Sequence, residues 1–571
     1  MRTRVINTIL VAGFLFAVLG VFNLSVINGK RLKELSNRNC IRLLPQPGAR
    51  GKILDRSGEV IVDNYLTYDV MVMPQNEIEL NRTIKVISER LGASVKDLLK
   101  RYRAGLQGTF LPVVVQKNVD TKKAIALEEL KLDFPSIVIQ PHPLRRYAYG
   151  NLAAHVIGYL SEIDIWRLSK LSDYGYGSKD IVGFGGVEEK YDYFLREKEG
   201  ALSVEVDHRG KLVRILGYRP PENGKDILLT IDLRIQKICE NTLKGRKGCV
   251  LVMDPNTGEI IALSSGPNFN PAAFINQSSS YIVAGLFKDR DAPFINRAIS
   301  GVFPPGSVFK GVVAAGALET GKVNLATTFT CTGSTYVGRR QFKCWDTHGP
   351  QSLIDAIAHS CDIYFYKTGI LLGPQGIHDY ALKFGLGKPS SIDLPYEASG
   401  FVPDPLWKKV TRLQNWYDGD TANFSIGQGD LMVTPIQMAR MTAVFANGGY
   451  LVSPYMVKEI DGHSLSSYRK KSVKVPVRDS TLKYIKQGMR KVVSSPNGTA
   501  SILSGVGVNL SGKTGTVQVP KGAPHGWFTG YFPSDKPRFV IVVFLENGGS
   551  GYACSVLTKQ IVEEMVKQEL I

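Results

Sequence analysis

Residues 303–321 read Phe303-Pro-Pro-Gly-Ser-Val-Phe-Lys-Gly-Val-Val-Ala-Ala-Gly-Ala-Leu-Glu-Thr-Gly, and this stretch decides both fold and chemistry. Proline and glycine end one segment before Ser307, the apolar run is typical of a helix, and Gly321 supplies a stop. Residues three apart share a helix face, so the Lys310 amine reaches the Ser307 hydroxyl at the positive end of the helix dipole. The stretch therefore predicts a nucleophilic serine beside a lysine base.

A second stretch, Ser511-Gly-Lys-Thr-Gly-Thr, predicts how a substrate is held. Lys310 must be neutral to take a proton, which requires burial or a second cation nearby, and Lys513 is the candidate cation. Glycines at a strand edge allow a substrate backbone to approach, while Lys513 and two hydroxyls face a carboxylate. Each stretch alone also fits an ordinary solvated helix or a glycine-rich turn.

The N-terminus predicts a membrane anchor. Val5 to Gly29 are 25 uncharged, mostly apolar residues, where about 20 cross the hydrocarbon layer. No convincing small-x-small exit follows, which favours an uncleaved signal anchor over a cleaved signal peptide. Charge does not decide its orientation, because cations flank both ends: Arg2, Arg4, Lys30, Arg31, Lys33 and Arg38.

Composition indicates folded domains in an anionic environment. Of the 571 residues, 44% are apolar and 21% charged, and the length predicts two or three domains. The formal charge of +19 fits lipid head groups, acidic wall polymers or nucleic acid, or a generally basic surface without a specific partner. Because of the tether we expect no nucleic-acid partner.

Local patterns predict three regions: a short tail with the transmembrane anchor over 1–29, an elongated mixed α+β non-catalytic module over 30–225, called the pedestal below, and a mixed α/β catalytic domain over 226–571. The pedestal contains a predicted strand, turn and strand around 55–58, helices over 78–103 broken near Gly92, and a short helix over 121–130. The turn over 220–225 marks the boundary. The catalytic region contains a strand over 226–231, a helix from Asp232, a hairpin over 249–264, a strand over 538–545 and a helix over 556–570.

Three motifs in a fixed order carry a resemblance to a known family. Ser307-Val-Phe-Lys310, Ser360-Cys-Asp362 and Lys513-Thr-Gly515 match the S-x-x-K, S-x-N and K-T-G motifs of penicillin-binding proteins and class A β-lactamases. Further stretches, at 50–56, 183–192 and 427–435, resemble class B penicillin-binding proteins, so that the likeness covers nearly the whole chain. Ser360-Cys-Asp-Ile-Tyr-Phe-Tyr is similar to the elongation-type group, penicillin-binding protein two.

The resemblance implies a fold and roles for individual residues. It implies a single-pass protein of the inner membrane with its body outside the cytoplasm, and a β-lactamase-like transpeptidase domain with an antiparallel sheet, flanking helices and an all-α subdomain. Ser307 would be acylated, Lys310 would be its base and Ser360 would relay a proton. Lys513, Thr514, Gly515 and Thr516 would hold the terminal carboxylate, and the backbone N–H groups of Ser307 and Thr516 would form the oxyanion hole.

The expected reaction is peptidoglycan D,D-transpeptidation in cell-wall elongation, with β-lactams as acylating inhibitors and no cofactor needed for catalysis. Donor and acceptor stem peptides and a membrane glycan polymerase are the expected partners. A hydrolase, either a carboxypeptidase or a β-lactamase, is one alternative, although no E-x-x-L-N deacylation motif is found. A non-enzymatic β-lactam sensor or scaffold is the other, and the four residues before the span leave little room for a signalling domain.

Asp362 departs from the S-x-N form. A carboxylate near Lys310 favours its charged state and so opposes the role of base. The resemblance indicates that aspartate here is a variant of the elongation-type group. The alternative is an aspartate that caps a helix near Ser360.

Three cysteines and one histidine form the pattern Cys331-x12-Cys344-x3-His348-x12-Cys361. Three thiolates and an imidazole complete a tetrahedral zinc set, which would support the second motif from behind. A disulfide such as Cys331 to Cys344, or buried thiols, is the alternative. Small buried hydrophobic roles are expected for the other four cysteines, Cys40, Cys239, Cys249 and Cys554. His525 is expected on the strand beside Lys513, without a catalytic role.

Overall fold

The computed structural model describes residues 2–106, 112–206, 212–275, 280–469 and 471–571. The chain forms two compact units, each discontinuous in sequence. The first unit contains residues 1–51, 64–146 and 196–225, and the second contains 52–63, 147–195 and 226–571. The domain boundaries drawn from the sequence remain a prediction.

The α-helices, in chain order, are α1 (Arg2–Phe22), α2 (Gly29–Cys40), α3 (Glu77–Leu91), α4 (Val95–Gly105), α5 (Thr121–Glu128), α6 (Ala154–Ile157), α7 (Ile165–Leu171), α8 (Gly186–Lys190), α9 (Asp192–Leu195), α10 (Leu233–Leu243), α11 (Ser280–Lys288), α12 (Lys310–Glu319), α13 (Leu353–Ala358), α14 (Asp362–Lys383), α15 (Pro405–Arg412), α16 (Asp418–Ser425), α17 (Pro435–Ala446), α18 (Asp479–Ser494) and α19 (Gly551–Lys567). Helix α14 is interrupted at Gly373, whose φ is 79°, directly before Pro374.

The strands, in chain order, are β1 (Ile41–Gln46), β2 (Ile53–Leu54), β3 (Val60–Val72), β4 (Val113–Val119), β5 (Ile137–Tyr147), β6 (Tyr159–Glu162), β7 (Ile181–Phe184), β8 (Gly200–Val206), β9 (Leu212–Arg219), β10 (Ile227–Leu229), β11 (Gly248–Met253), β12 (Ile260–Gly266), β13 (Phe329–Cys331), β14 (Ser334–Val337), β15 (Arg340–Lys343), β16 (Gly349–Gln351), β17 (Tyr450–Leu451), β18 (Val457–Ile460), β19 (His463–Ser464), β20 (Val473–Lys474), β21 (Ser511–Val517), β22 (His525–Phe532) and β23 (Phe539–Leu545).

The predicted apolar N-terminal helix is present. One helical stretch over Arg4–Ile27, 24 residues long and fully exposed, has the length and composition needed to cross a membrane. Its Leu, Ile, Val and Phe side chains are exposed and do not pack against any described part of the protein. Such a surface is stable in a hydrocarbon layer, since about 20 apolar residues span it.

In the first unit, helices pack against a small antiparallel sheet. Strand β3 pairs with β4 and with β5, and β1, β8 and β9 form a separate three-stranded sheet. Helix α3 begins because the Asn76 side chain accepts a hydrogen bond from the Glu79 N–H at 2.9 Å, and it ends at Gly92, whose φ is 70°. Apolar residues of α3 and α4, including Ile84, Ile87 and Leu98, are buried with those of β4. The predicted helix pair with a break near Gly92 is confirmed.

The second unit is built on a five-stranded antiparallel sheet in the order β12-β11-β23-β22-β21. Every residue of β11, β22 and β23 is buried, so both faces of the central strands are covered. Helices α10 and α19 pack against each other and the sheet, and α17 packs against β11, β22 and β23. Helices α12, α13, α14, α16 and α18 pack together as a helical part of this unit. The predicted antiparallel sheet with flanking helices and a helical subdomain is confirmed.

Most local predictions for this unit are confirmed. Asp232 caps α10 by accepting a hydrogen bond from the Arg234 N–H, and β11 and β12 form the predicted hairpin. Strand β22 lies beside β21 as expected, with His525 opposite Val517. The last helix begins at Gly551, earlier than the predicted start at 556. The sequence does not predict this first turn, because glycine and serine are poor helix formers. In the structure, the Gly551 N–H at the start of the helix donates a hydrogen bond of 3.0 Å to the Thr516 hydroxyl oxygen.

Candidate active site

Ser307 lies in a tight helical turn that leads directly into α12. Residues Gly306–Phe309 form a 3-10 turn, and the α-helix follows at Lys310. Gly306 has a φ of 58° and donates its N–H to the Gly427 carbonyl oxygen at 2.8 Å. The Ser307 side chain is partly exposed while its neighbours are buried. Gly321, with a φ of 67°, follows the end of the helix, as predicted.

Lys310 is the most deeply buried cation of the site, with no exposed surface. Its Nζ donates hydrogen bonds to the Ser360 carbonyl oxygen at 2.8 Å and to Ser360 Oγ at 3.2 Å. It also forms an ion pair with Asp362 Oδ1 at 2.7 Å. The first two motifs therefore meet at one nitrogen atom.

The backbone at Ser360 is bent, and the side chains of Ser360 and Asp362 both contact Lys310. Ser360 follows α13 with a left-handed φ of 54°, unusual for a residue other than glycine. Asp362 is the first residue of α14, and Cys361 before it makes no side-chain cap. A carboxylate suits this position at a helix N-terminus. Asp362 is thus engaged by Lys310, and the structure gives it no capping hydrogen bond.

Lys513 projects from β21 into the same buried region. Its side chain is 3% exposed, and its Nζ donates to the Thr514 carbonyl oxygen at 3.0 Å. Burial holds the pKa of Lys513 well below its usual value, the positive charge of Lys310 lowers this pKa further, and Asp362 opposes the shift. The structure thus brings the two lysines into electrostatic contact, as the sequence predicts.

Strand β21 is the edge of its sheet, because only β22 pairs with it. Its other side therefore presents backbone N–H and C=O groups that an extended peptide can pair with. A Cβ atom on Gly515 would lie 3.0 Å from the Pro305 carbonyl oxygen, so glycine lets the strand approach the turn before Ser307. The three motifs consequently surround one cleft.

The two threonines of the third motif have different surroundings. Thr514 is nearly buried, and its hydroxyl shares a hydrogen bond of 2.7 Å with the Thr499 hydroxyl. Thr516 is exposed, and its hydroxyl accepts the Gly551 N–H. No motif or periodicity in the sequence points to Thr499, which lies in the loop after α18. Gly427 enters the sequence analysis only as part of the stretch 427–435. In the structure its carbonyl oxygen accepts the hydrogen bond from the Gly306 N–H and so holds the turn before Ser307.

His525 is packed between aromatic rings. Its ring centroid lies 5.7 Å from those of Phe303 and Phe544, and its Nδ1 accepts the Asn547 N–H at 2.9 Å. Burial lowers the pKa of His525. These contacts support the expected structural role.

The four predicted metal ligands lie together behind the second motif. One ligand atom from each of Cys331, Cys344, His348 and Cys361 lies within 4.8 Å of all the others. His348 Nδ1 is 3.5 Å from the sulfur atoms of both Cys331 and Cys344. In a tetrahedral site with ordinary zinc bond lengths, a nitrogen and a sulfur ligand are about 3.5 Å apart.

The chemistry of the donors also fits a metal. The hydrogen bond between the two thiols lowers the pKa of Cys344 and raises that of Cys361, and the Asp362 N–H donates to the Cys344 sulfur at 3.3 Å. A thiolate is the form that binds a metal. His348 Nε2 is buried without a partner among the described residues, so Nδ1 carries the polar contacts of this ring. The six cysteines whose side chains are described are free, and Cys239, Cys249 and Cys554 are buried as expected; the side chain of Cys40 lies outside the described part.

Comparisons with known proteins agree with this geometry. The penicillin binding protein transpeptidase domain matches residues 248–567, and the penicillin-binding protein dimerisation domain matches residues 45–229. The chain belongs to the class B penicillin-binding proteins, in the penicillin-binding protein two group.

Similar proteins extend over nearly the whole chain. The peptidoglycan D,D-transpeptidase MrdA of Acinetobacter baumannii is 32% identical, covering 98% of this chain and 86% of that protein. A penicillin-binding protein two from Helicobacter pylori, solved in complex with MreC, is 27% identical with a TM-score of 0.83, covering 93% of this chain and 99% of that one. A chain of a peptidoglycan synthase complex, solved to explain how polymerization and crosslinking are coordinated, is 29% identical with a TM-score of 0.75, covering 99% and 98%.

Proposed function

We propose that the protein is a peptidoglycan D,D-transpeptidase that crosslinks stem peptides during cell-wall elongation through an acyl-enzyme on Ser307. The observation that carries this proposal is the position of the Lys310 amine. It is fully buried, one helical turn after Ser307, and contacts both polar side chains of the second motif. The family membership supports the same reaction.

In the acylation step, Ser307 Oγ attacks the carbonyl carbon between the last two D-alanines, and its proton passes to Lys310. The base must be neutral at that moment. Asp362 Oδ1, 2.7 Å from Nζ, is placed to exchange a proton with the amine, and the hydrogen bonds to Ser360 hold the amine in position.

In the collapse step, the bond to the leaving D-alanine breaks and its nitrogen takes a proton from the Ser360 hydroxyl. Lys310 replaces that proton across the 3.2 Å hydrogen bond. The amine of a second stem peptide then attacks the Ser307 ester, its proton returns through the same groups, and Ser307 is released. Atoms and charges balance over the two transfers.

In this proposal, residues of strand β21 bind the substrate. Lys513 offers N–H donors from β21, and Thr514 and Thr516 offer hydroxyls to the terminal carboxylate. The backbone N–H groups of Ser307 and Thr516 stabilise the oxyanion, a contribution of several kcal/mol in comparable enzymes. A β-lactam, which carries an acyl group and a carboxylate, is expected to acylate Ser307 in the same way.

Mass spectrometry of the penicillin-labelled protein tests the proposal. The adduct is expected on the peptide containing Ser307 and is absent in Ser307→Ala, while Ser466→Ala, on a surface turn, labels normally. With a donor pentapeptide and an acceptor amine, the wild type forms the crosslinked product. Release of free acid alone would indicate a hydrolase, and crosslinking retained by Ser307→Ala would indicate a scaffold.

We also propose a structural zinc ion held by Cys331, Cys344, His348 and Cys361. It would supply no catalytic chemistry. Because Cys361 lies between Ser360 and Asp362, its ligation would fix the backbone that presents both to Lys310. Elemental analysis of protein purified with reductant is expected to give one zinc per chain, lost in Cys344→Ser and kept in Cys554→Ala, whose cysteine is buried elsewhere. Metal-free wild-type protein would exclude the site.

The proposal also covers the location of the enzyme in the cell and its protein partner. The apolar N-terminal helix would anchor it in the inner membrane, with the chain after residue 29 outside the cytoplasm where peptidoglycan is found. The similarity to a chain of a peptidoglycan synthase complex supports a membrane glycan polymerase as partner, contacting the pedestal. Co-purification of the polymerase with this protein in detergent tests the partnership. Loss of the polymerase when residues 2–29 are removed would locate the contact in the anchor and not in the pedestal.

A further inference from the structure

A basic groove lies in the second unit, beside the helix α18 and the beginning of strand β21. It has a volume of about 1110 Å³ and is open to solvent. Its lining includes five cations, Lys474, Lys483, Lys486, Arg490 and Lys491. Two carboxylates, Asp479 and Asp535, also line it, which leaves an excess of positive charge.

Three of these cations form no close ion pair with any described residue. Lys474 lies 3.6 Å from Asp479, and Lys491 pairs with Asp355 at 3.0 Å. Within the described part of the chain, no carboxylate oxygen lies within 4.0 Å of the side-chain nitrogens of Lys483, Lys486 or Arg490. Positive charges on one helix repel one another unless an anion lies between them.

The Arg490 side chain shows that the groove is more than a solvated basic surface. Its Nη1 atom is buried and has no hydrogen-bond partner among the described residues. A buried donor without an acceptor is costly, and more so on a charged group. Arg490 also lies close to Tyr531. Burial raises the pKa of the Tyr531 hydroxyl, and the positive charge of Arg490 lowers it.

Lys486 is held at the same place. It is half-buried, and its Nζ donates to the Ala446 carbonyl oxygen at 3.2 Å, which leaves two of its three N–H donors for a ligand. Burial lowers the pKa of Lys486, and the charge of Asp479 opposes this shift. Lys486 and Arg490 are four residues apart on α18, so their side chains share one face of the helix.

We propose that this groove binds an oxyanion, through a bidentate contact from Arg490 and a second contact from Lys486. A guanidinium fork matches the two oxygens of a carboxylate or phosphate. The groove is separate from the cleft but begins on the same strand, since Ser511 lines it and Lys513 lies two residues further along β21. Two sources present this chemistry: the free carboxylates of a second peptidoglycan strand, which rests on the proposed function, and a phosphate group.

Calorimetry on the full-length protein in detergent tests the site. Ser307 is first blocked with penicillin, so that the cleft is closed to peptides. The probes are a disaccharide tetrapeptide with free carboxylates, the same compound with amidated carboxylates, and inorganic phosphate. Binding of the free-carboxylate form alone assigns the site to peptidoglycan, and binding of phosphate with competition between the two assigns it to a phosphate group.

The variant Lys486→Gln/Arg490→Gln is expected to bind at least about tenfold more weakly, as lost charge-assisted hydrogen bonds predict. Lys559→Gln/Lys567→Gln, on α19 outside the groove, is the matched control and binds as the wild type does. Arg490→Lys keeps the charge and loses the fork, and is expected to fall between the two. Equal binding by the wild type and the groove variant, or no binding of tetrapeptide and phosphate, would overturn the proposal. Penicillin labelling of each variant reports separately on its fold and on the proposed function.

Discussion

At the scale of single residues, the site depends on buried charges that are close enough to change one another. Lys310 and Lys513 are buried, and Asp362, whose side chain is 17% exposed, lies 2.7 Å from Lys310. Charge interactions are stronger in such surroundings than in water. A proton moved at one of these groups therefore alters the charge that the other two experience.

Replacement of Lys513 by methionine is expected to stabilise the fold at neutral pH. Because the folded-state pKa of Lys513 is lowered from 10.5, the unfolded chain binds a proton that the folded chain holds weakly. The resulting destabilisation is complete below the folded pKa and is lost as pH rises toward 10.5. Between the folded-state pKa and 10.5, the free energy of unfolding of the wild type should rise with pH more steeply than that of Lys513→Met. The difference between the two slopes is up to about 1.4 kcal/mol per pH unit.

Urea unfolding at several pH values, followed by tryptophan fluorescence, measures the difference, because Trp527 is fully buried on the neighbouring strand. Lys559→Met, on the surface of α19, is the control and should leave the pH dependence unchanged. Parallel pH curves for the wild type and Lys513→Met would contradict a lowered pKa.

Gly427→Ala is expected to impair acylation far more than Gly429→Ala. Both glycines have left-handed φ values, 72° and 80°, so alanine costs about 1–2 kcal/mol at either position. A Cβ on Gly427 would lie 2.2 Å from the Gly306 carbonyl oxygen, whereas the nearest atom to one on Gly429 is 3.8 Å away. Penicillin acylation rates and thermal unfolding of the two variants measure the contact, and equal effects would show that it is unimportant.

The residues of the three motifs were predictable because their chemistry depends on residue type and order. The packing around them was not. That Gly427 holds the turn before Ser307 depends on two loops distant in sequence, which no periodicity reports. The second motif predicts a carboxylate near Lys310, and the structure shows that Asp362 forms an ion pair with this lysine.

At the scale of helices and strands, the loop after α18 positions strand β21. The Thr499 hydroxyl shares a 2.7 Å hydrogen bond with that of Thr514, and the Thr499 N–H faces the carbonyl of Ala358 at the end of α13. One residue therefore connects the strand of the third motif with the helix that precedes the second. The elements themselves were predicted from apolar periodicity, but this connection joins positions without a sequence signal.

Thr499→Val should lower kcat/KM for acylation about fivefold, since a hydrogen bond contributes about 1 kcal/mol. Valine keeps the shape of threonine and removes only the hydroxyl. Thr499→Ser keeps the hydroxyl and should stay close to the wild type. Stopped-flow acylation by a chromogenic β-lactam gives the constants, and equal rates for the valine and serine variants would contradict a role for this hydroxyl.

At the scale of the whole molecule, the apolar N-terminal helix and the catalytic cleft lie in different units. All residues of the cleft belong to the second unit, and the apolar helix belongs to the first. Removal of residues 2–29 is expected to move the protein to the soluble fraction while penicillin labelling is kept. A Leu/Ala stretch of the same length in place of residues 5–29 should return it to the membrane. A truncated protein that stays in washed membranes would show a second attachment.

The unpaired edge of β21 has a consequence for antibiotic resistance. Its outer N–H and C=O groups belong to the main chain, so a point mutation to any residue other than proline leaves them in place. An inhibitor that pairs with this edge as an added strand would therefore meet the same hydrogen-bonding pattern in clinical variants. Escape would have to come from changes that shift the strand as a whole.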